Sequence, residues 1–390
     1  MTLRSFSDVN VEYSKMENVM KITDVKTYLV NANRGNNWAS RPRGRNWLFV
    51  KLFTDEGVTG VGEGGGWPFL VEKAIQELKH FLIGENPFAI ERLWLKLYDI
   101  LHGHGATGAV RGGVISAIDC ALWDIKGKAL GVPVWELLGG KMRDSIPVYG
   151  HASSPEAAEK LMDRGYRFFK CGPKIETIKT LREAVGYDVE IGVHCHAEFT
   201  PSAAIQLGRG CESYRPMFLE DPVIPENVEA FAKVAGKIAI PLATGERFAS
   251  KWAFAELLAR NLVDIVQPET TRLGGITELK KLAAMAEAQA VTVSPHDGSV
   301  GPIIEMANVH VLASIPNCIF LEHMADDVSW RLDVAPGAVP EENGEIRVPD
   351  KPGLGCDIDE AIVAAHPIAD VAAFQYTHRT PERIQQSFVR

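Results

Sequence analysis

Residues 189–199 read V-E-I-G-V-H-C-H-A-E-F, an apolar, β-branched run ending in His194, Cys195 and His196. Side chains alternate faces along a strand, so the two histidines share one side and Cys195 takes the other, as packing between strand and helix. Two imidazoles at a strand's end can be metal ligands, acid–base groups, one of each, or ordinary satisfied histidines. The spacing of two downstream carboxylates lifts this pair above the last reading. Glu220 closes the next apolar run, M-F-L-E-D-P, 26 residues after His194; Glu246 closes the run after it, I-P-L-A-T-G-E, a further 26 residues on. Each interval is the length of one strand plus one helix.

The same rhythm extends both ways, across residues 144–340. I-P-V-Y-G and R-F-F-K-C-G precede the opening stretch, and D-I-V-Q-P-E, V-T-V-S-P-H and C-I-F-L-E-H come after it. Amphipathic stretches such as 155–164, 226–235, 251–262 and 277–288 lie between them. Strict alternation of eight short strands with helices predicts a parallel barrel with helices outside. In such a barrel the C-terminal strand ends meet at one mouth. Read in order, those ends are Lys170, His194 with His196, Glu220, Glu246, Glu269, His296 and Glu322. A chance pattern would scatter these charges over exposed helices.

Residues 1–19 are polar and irregular, and read as a flexible leader. Residues 20–143 read as an α+β unit: a three-strand meander, then helical periodicity over 71–80, 89–101 and 114–128. Between the first two strands, residues 34–46 are rich in Arg, Asn and Gly. They form either a solvated turn or a lid in which Arg34, Asn37 and Arg45 grip an anionic, hydroxylated ligand. G-E-G-G-G-W lacks the strand–turn–helix setting of a dinucleotide fingerprint, and reads as a loop with Trp67 walling a substrate cavity. Residues 341–390 return to loop and short helix and are expected to pack back on this first unit. With 46% hydrophobic residues and a net charge of −9, the chain is not expected to present a nucleic-acid surface. No apolar run reaches membrane-spanning length, and the six scattered cysteines read as free thiols, so a cytoplasmic protein is expected.

The ordered set V-G-E-G-G-G, A-I-D-C-A-L-W-D-I-K-G-K-A-L-G-V-P-V-W-E-L-L-G-G, F-L-E-D-P, A-T-G-E-R, V-Q-P-E-T-T-R-L-G-G-I-T-E and S-P-H resembles the enolase superfamily. Within its mandelate racemase subgroup the likeness is greatest to acid-sugar dehydratases of the galactonate type. The resemblance covers nearly the whole chain from Met20. It implies a modified TIM barrel, (β/α)7β, under an N-terminal α+β cap completed by the C-terminal segment. It implies Mg²⁺ held by strand-end ligands, bound to a small-molecule carboxylate substrate, and stabilising the enediolate left when a base takes the α proton. It also implies a homo-oligomer.

By this resemblance Glu220 and Glu246 match metal ligands, and His194 stands at the first ligand, normally Asp. His296 matches the base, and Glu269 the acid that orients it, usually Asp. Glu322 matches the acid that hydrogen-bonds the substrate carboxylate. His196 matches the histidine that protonates the departing 3-hydroxyl. Lys170 matches the first Lys of K-x-K, but Gly172 replaces the second, which favours His296 as base. Lys170 remains open between substrate contact and pairing with a neighbouring glutamate. Neutral His194 in place of Asp lowers the ligand charge by one unit and swaps oxygen for nitrogen, which Mn²⁺, Fe²⁺ or Zn²⁺ tolerates better than Mg²⁺. The resemblance thus implies dehydration of an aldonate to a 2-keto-3-deoxy acid. The alternatives are a racemase or epimerase of a 2-hydroxy acid, and a divergent, non-catalytic binding protein.

Overall fold

The computed structural model describes residues 19–33 and 45–368. The expected leader up to residue 18, the candidate ligand residues Arg34 and Asn37, and residues 369–390 lie outside them.

The chain opens with an antiparallel sheet of β1 (Ile22–Asn31), β2 (Asn46–Thr54) and β3 (Thr59–Gly64), followed by α1 (Pro68–Leu78), α2 (Ile90–Gly103), α3 (Gly108–Leu130) and α4 (Val134–Leu137). The apolar faces of the meander and of α2 pack on α3, which is buried on most sides. This contact explains the glycines of V-G-E-G-G-G. A Cβ on Gly62 would stand 2.0 Å from the Ala117 carbonyl oxygen, so helix and strand backbones meet directly.

The barrel follows as β4 (Ser145–His151), α5 (Pro155–Asp163), β5 (Phe168–Cys171), α6 (Ile175–Val185), β6 (Glu190–His194) and α7 (Pro201–Cys211). It continues with β7 (Phe218–Glu220), α8 (Val228–Ala235), β8 (Leu242–Thr244), α9 (Trp252–Ala259) and β9 (Ile265–Val266). Then come α10 (Thr270–Leu273), α11 (Gly275–Glu287), β10 (Thr292–Val293), α12 (Pro302–Ala313) and β11 (Leu321–Glu322). Neighbouring strands from β4 to β10 pair in parallel. β11 pairs with β4, and Val293 bridges to Cys318, which closes the ring. Seven crossovers through helices and an eighth strand give the (β/α)7β order. Val193, Cys195 and Leu219 belong to the core packed between strands and helices. Among the described residues no helix is long and apolar enough to cross a membrane.

After the barrel, β12 (Glu341–Glu342) and β13 (Glu345–Arg347) form a hairpin laid antiparallel on β4. The following stretch and α13 (Glu360–Ala365) then reach the first unit: Leu354 N–H donates to Asp124 at 2.8 Å, and Asn31 N–H to the His366 carbonyl at 3.0 Å. The segment therefore joins both units.

Buried carboxylates fasten the cap to the barrel. Glu63 of β3 accepts the N–H groups of Gly301 (2.5 Å) and Ile304 (3.2 Å), capping α12. Asp119 of α3 accepts Thr277 N–H at 3.0 Å and its hydroxyl at 2.5 Å. Arg45 corrects an expectation. Instead of gripping a ligand, its guanidinium is fully buried, bridging both carboxylate oxygens of Asp327 and donating to the carbonyls of Ser299 (3.2 Å) and Val300 (3.3 Å). A planar fork with several donors suits such a buried junction.

Candidate active site

The strand ends do meet at one mouth. β6 ends at His194, whose Cα is the register partner of Glu220 at the end of β7. His196 lies beyond the strand, in the left-handed region with φ 53°. The two imidazoles are neighbours, with ring centroids 4.4 Å apart, because the chain turns after His194 and not because a strand alternates through it. Asp221, beyond β7, also has a positive φ of 42°. Such conformations are costly for non-glycine residues and cluster where side chains must be aimed.

On the far strands, His296 Nδ1–H donates to Glu269 Oε2 at 3.1 Å. This leaves Nε2 directed between Glu322 Oε2 (3.7 Å) and Glu246 Oε2 (3.9 Å). Burial opposes a charge on this imidazole, but Glu322, Glu246 and Glu269 overcome it and push its pKa up to about 9. Glu269 is itself fixed by the Thr271 hydroxyl and by Arg272 (2.7 Å). Burial would raise its pKa, yet Arg272 and His296 hold it below the usual carboxylate range.

Lys170 resolves towards pairing. Its ammonium, 2% exposed, lies 3.0 Å from Glu220 Oε2 and 2.8 Å from Glu322 Oε1. Burial disfavours its charge, but the two carboxylates outweigh that and raise its pKa, so Lys170 stays an ammonium and is no base. Glu322 is held well below the carboxylate range, against burial, by Lys170, His296 and His151. Lys170 and His151 are the donors that meet Glu322 Oε1.

Three further groups stand at the mouth that the strand-end pattern did not single out. Arg247 pairs with Asp221, with Glu246 at 3.0 Å, and reaches His196 Nδ1 at 3.4 Å. Arg272 pairs with Glu246 at 3.3 Å as well as with Glu269. His151, at the end of β4, donates Nε2–H to Glu322 Oε1 at 2.5 Å. Each had a signal: Arg247 follows Glu246 directly, Arg272 sits three residues after Glu269, and His151 ends the first barrel strand.

Burial lowers the pKa of His194 well below its ordinary value, helped by the charge of Lys170, so it is a neutral imidazole. Burial also lowers that of His196, against the pull of Glu246. His194, Glu220 and Glu246 occupy three successive strand ends, and one nitrogen with two carboxylates is a donor set that fits a divalent ion. Their carboxylates are turned to cations of the chain, Glu220 to Lys170 and Glu246 to the two arginines. As a result the expected triad does not converge. Among the described residues, the set of three ligand atoms lying within 4.8 Å is Glu246, Glu269 and His296, two of which already bond each other.

A cleft of about 430 Å³ lies on the seam between cap and barrel, lined by Trp67 and Asn46 on one side and Arg247, Glu269, Arg272 and Ser299 on the other. Trp67, half exposed at the start of α1, forms part of its wall.

A shared mouth of this composition under a cap of this topology defines a family. The chain belongs to the mandelate racemase/muconate lactonizing enzyme family: residues 39–139 match its N-terminal domain, and residues 154–362 match the enolase C-terminal domain-like unit. It is 36% identical to a D-galactonate dehydratase of Klebsiella pneumoniae (strain 342), covering 87% of this chain and 93% of that one. It is 33% identical to a D-xylonate dehydratase of Haloferax volcanii (strain DS2), covering 91% and 90%. An enolase from Pantoea ananatis, solved with bound D-gluconate and Mg, superposes with a TM-score of 0.82 at 31% identity, covering 92% of this chain and 97% of that one.

Proposed function

We propose that this chain dehydrates an acid sugar, taking the proton α to the carboxylate and expelling the 3-hydroxyl as water. The observation that carries the reading is the His296–Glu269 pair on one side of the mouth, with His196, just beyond the end of β6, as a second, separately controlled imidazole. Glu269 fixes which nitrogen of His296 faces the substrate. In its neutral form Nε2 takes the α proton, and the C–H electron pair moves into an enediolate. In its protonated form, which burial disfavours and Glu246 favours, His196 gives a proton to the hydroxyl on the next carbon; the C–O bond breaks and water leaves. The enol that remains tautomerises to the 2-keto-3-deoxy acid. Lys170 supplies a donor to the substrate carboxylate, and the cleft side chains of Arg247, Asn46 and Trp67 meet the hydroxylated tail. A divalent ion held by His194, Glu220 and Glu246 would supply Lewis acidity to the carboxylate and neutralise charge near His296.

The dehydratases of galactonate and xylonate among the relatives, and the gluconate-bound neighbour, support an aldonate as the substrate class. The test is incubation with galactonate, xylonate, gluconate and their epimers, each with Mg²⁺, Mn²⁺ or Zn²⁺, followed by NMR. A 2-keto-3-deoxy acid from at least one is expected. No product from the whole set under any ion would overturn the reading.

A further inference from the structure

The orientation of His296 depends on Glu269, yet a glutamate reaches its carboxylate through three rotatable bonds, and the last has no sharp preference of its own. Its hydrogen-bond partners therefore decide where the two oxygens stand. Oε2 is held by His296 Nδ1–H (3.1 Å) and by Arg272 (2.7 Å). Oε1 accepts the hydroxyl of Thr271. While Oε1 is held, the carboxylate cannot turn about its own axis; once released, rotation carries Oε2 away from Nδ1. We propose that Thr271 is a positioning residue for the base, and that the cap in turn holds Thr271 in place. This rests on the reading of His296 as the base, and adds a residue that has no part in the strand-end pattern.

The surroundings of α10 carry the argument. Thr271 is fully buried, so water does not compete for its hydroxyl. Its backbone carbonyl accepts the N–H of Gly65, directly after β3 in the cap, at 3.2 Å. The cap thus grips the residue that grips Glu269. There is no slack in this contact: a Cβ on Gly65 would lie 2.7 Å from Thr271 Cβ, closer still to its hydroxyl oxygen, and 3.3 Å from Glu269 Oε1. One residue on, a Cβ on Gly112 of α3 would overlap the Arg272 carbonyl. On the barrel side, the Thr270 hydroxyl donates to Asn308 Oδ1 of α12 at 2.6 Å. The short helix is therefore pressed between cap and barrel, and from it Thr271 and Arg272 reach the two oxygens of Glu269 separately.

The test separates positioning from substrate contact and from folding. Thr271→Val keeps the shape of the side chain and removes the hydroxyl. It is expected to lower kcat for dehydration about 10- to 100-fold with KM changed less than about twofold, as a small misplacement of a reacting group does. The exchange of the α proton in D₂O should slow by the same factor. Thr271→Ser restores the hydroxyl and should recover most of the rate. Gly65→Ala leaves the polar groups of the mouth chemically unaltered, and should lower kcat in the same manner by displacing Thr271. A second measurement needs no turnover. In ¹⁵N-histidine NMR at one fixed pH, the Nδ1–H of His296 gives a downfield signal, assigned by its absence from His296→Asn. That signal should be lost or broadened in Thr271→Val and return in Thr271→Ser. An unchanged kcat in Thr271→Val, a loss that serine does not recover, or a raised KM at unchanged kcat would overturn the proposal, the last by making Thr271 a substrate contact. If no aldonate is dehydrated, the functional reading falls and the NMR signal alone decides: the same signal in Thr271→Val as in the unaltered protein would overturn the positioning role as well.

Discussion

His296 is buried and His196 is exposed at the rim of the mouth, and their neighbours differ in sign. Carboxylates surround His296 and raise its pKa, whereas desolvation keeps that of His196 low beside Arg247. The two steps of elimination should therefore separate by substitution. His296→Asn is expected to lose both α-proton exchange in D₂O and dehydration, by about 10²–10⁴-fold, if His296 is the base as proposed. His196→Asn should lose dehydration to a similar extent while the α proton still exchanges, followed by ¹H NMR; loss of exchange as well would remove His196 from the acid role. Lys170 acts on stability more than on proton transfer. Lys170→Met leaves Glu220 and Glu322 buried without their cation, at a cost of about 3–5 kcal/mol, to be read from urea unfolding. An unchanged midpoint would mean the pair is compensated by something other than Lys170.

At the scale of elements, the strands, their order and the mouth were legible because apolar runs of similar length recur at a steady interval. Periodicity reports which runs are buried, and the barrel follows. It does not report what each charged side chain turns to. Glu220 turns to Lys170 and Glu246 to Arg247 and Arg272, because a buried carboxylate takes the nearest available cation. Nor could alternation give the geometry of His196, since β6 stops two residues earlier. Arg45 misled for a related reason: a loop rich in arginine resembles a ligand grip until its partner, Asp327, is seen 282 residues away. Glu63 yields a prediction at this scale. Burial pushes its carboxyl up to about 7, against the opposing pull of two backbone donors and nearby arginines. A carboxyl whose folded pKa is raised keeps its proton in the folded state where the unfolded chain has lost it, so its contribution is complete below about 4.5 and disappears as pH rises through 7. The integrated effect is roughly 3 kcal/mol. Comparing Glu63→Gln with the unaltered chain by urea unfolding from pH 4 to 8 should show a flatter pH dependence in the variant; parallel curves would mean Glu63 is ionised throughout.

At the scale of the whole molecule, cap and barrel act as one unit only while the seam between them holds, and the cleft lies on that seam. Arg45 is fully buried there, directly before Asn46 and Trp47 in the cleft wall, and it ties the start of β2 to Asp327 and to the carbonyls of residues 299 and 300. Removing it leaves Asp327 with Arg331 (2.8 Å) as its cation and the Val328 N–H (2.7 Å) as a donor among the described residues, and leaves two buried carbonyl groups without this donor. Arg45→Ala should then destabilise the protein by about 3 kcal/mol, the lower end for breaking a buried pair, because Arg331 still compensates part of the charge. It should also raise KM for the aldonate more than it lowers kcat, since the wall of the cleft loosens while His296 and His196, which follow barrel strands β10 and β6, are not part of that wall. Arg45→Lys should rescue little of either, because an ammonium cannot span both oxygens of Asp327 and the two carbonyls at once. A direct ligand contact behaves differently: KM rises at unchanged stability, and lysine restores part of the affinity. Measuring urea midpoints and both kinetic constants for the two variants distinguishes these patterns, and a raised KM at an unaltered midpoint would return Arg45 to the substrate.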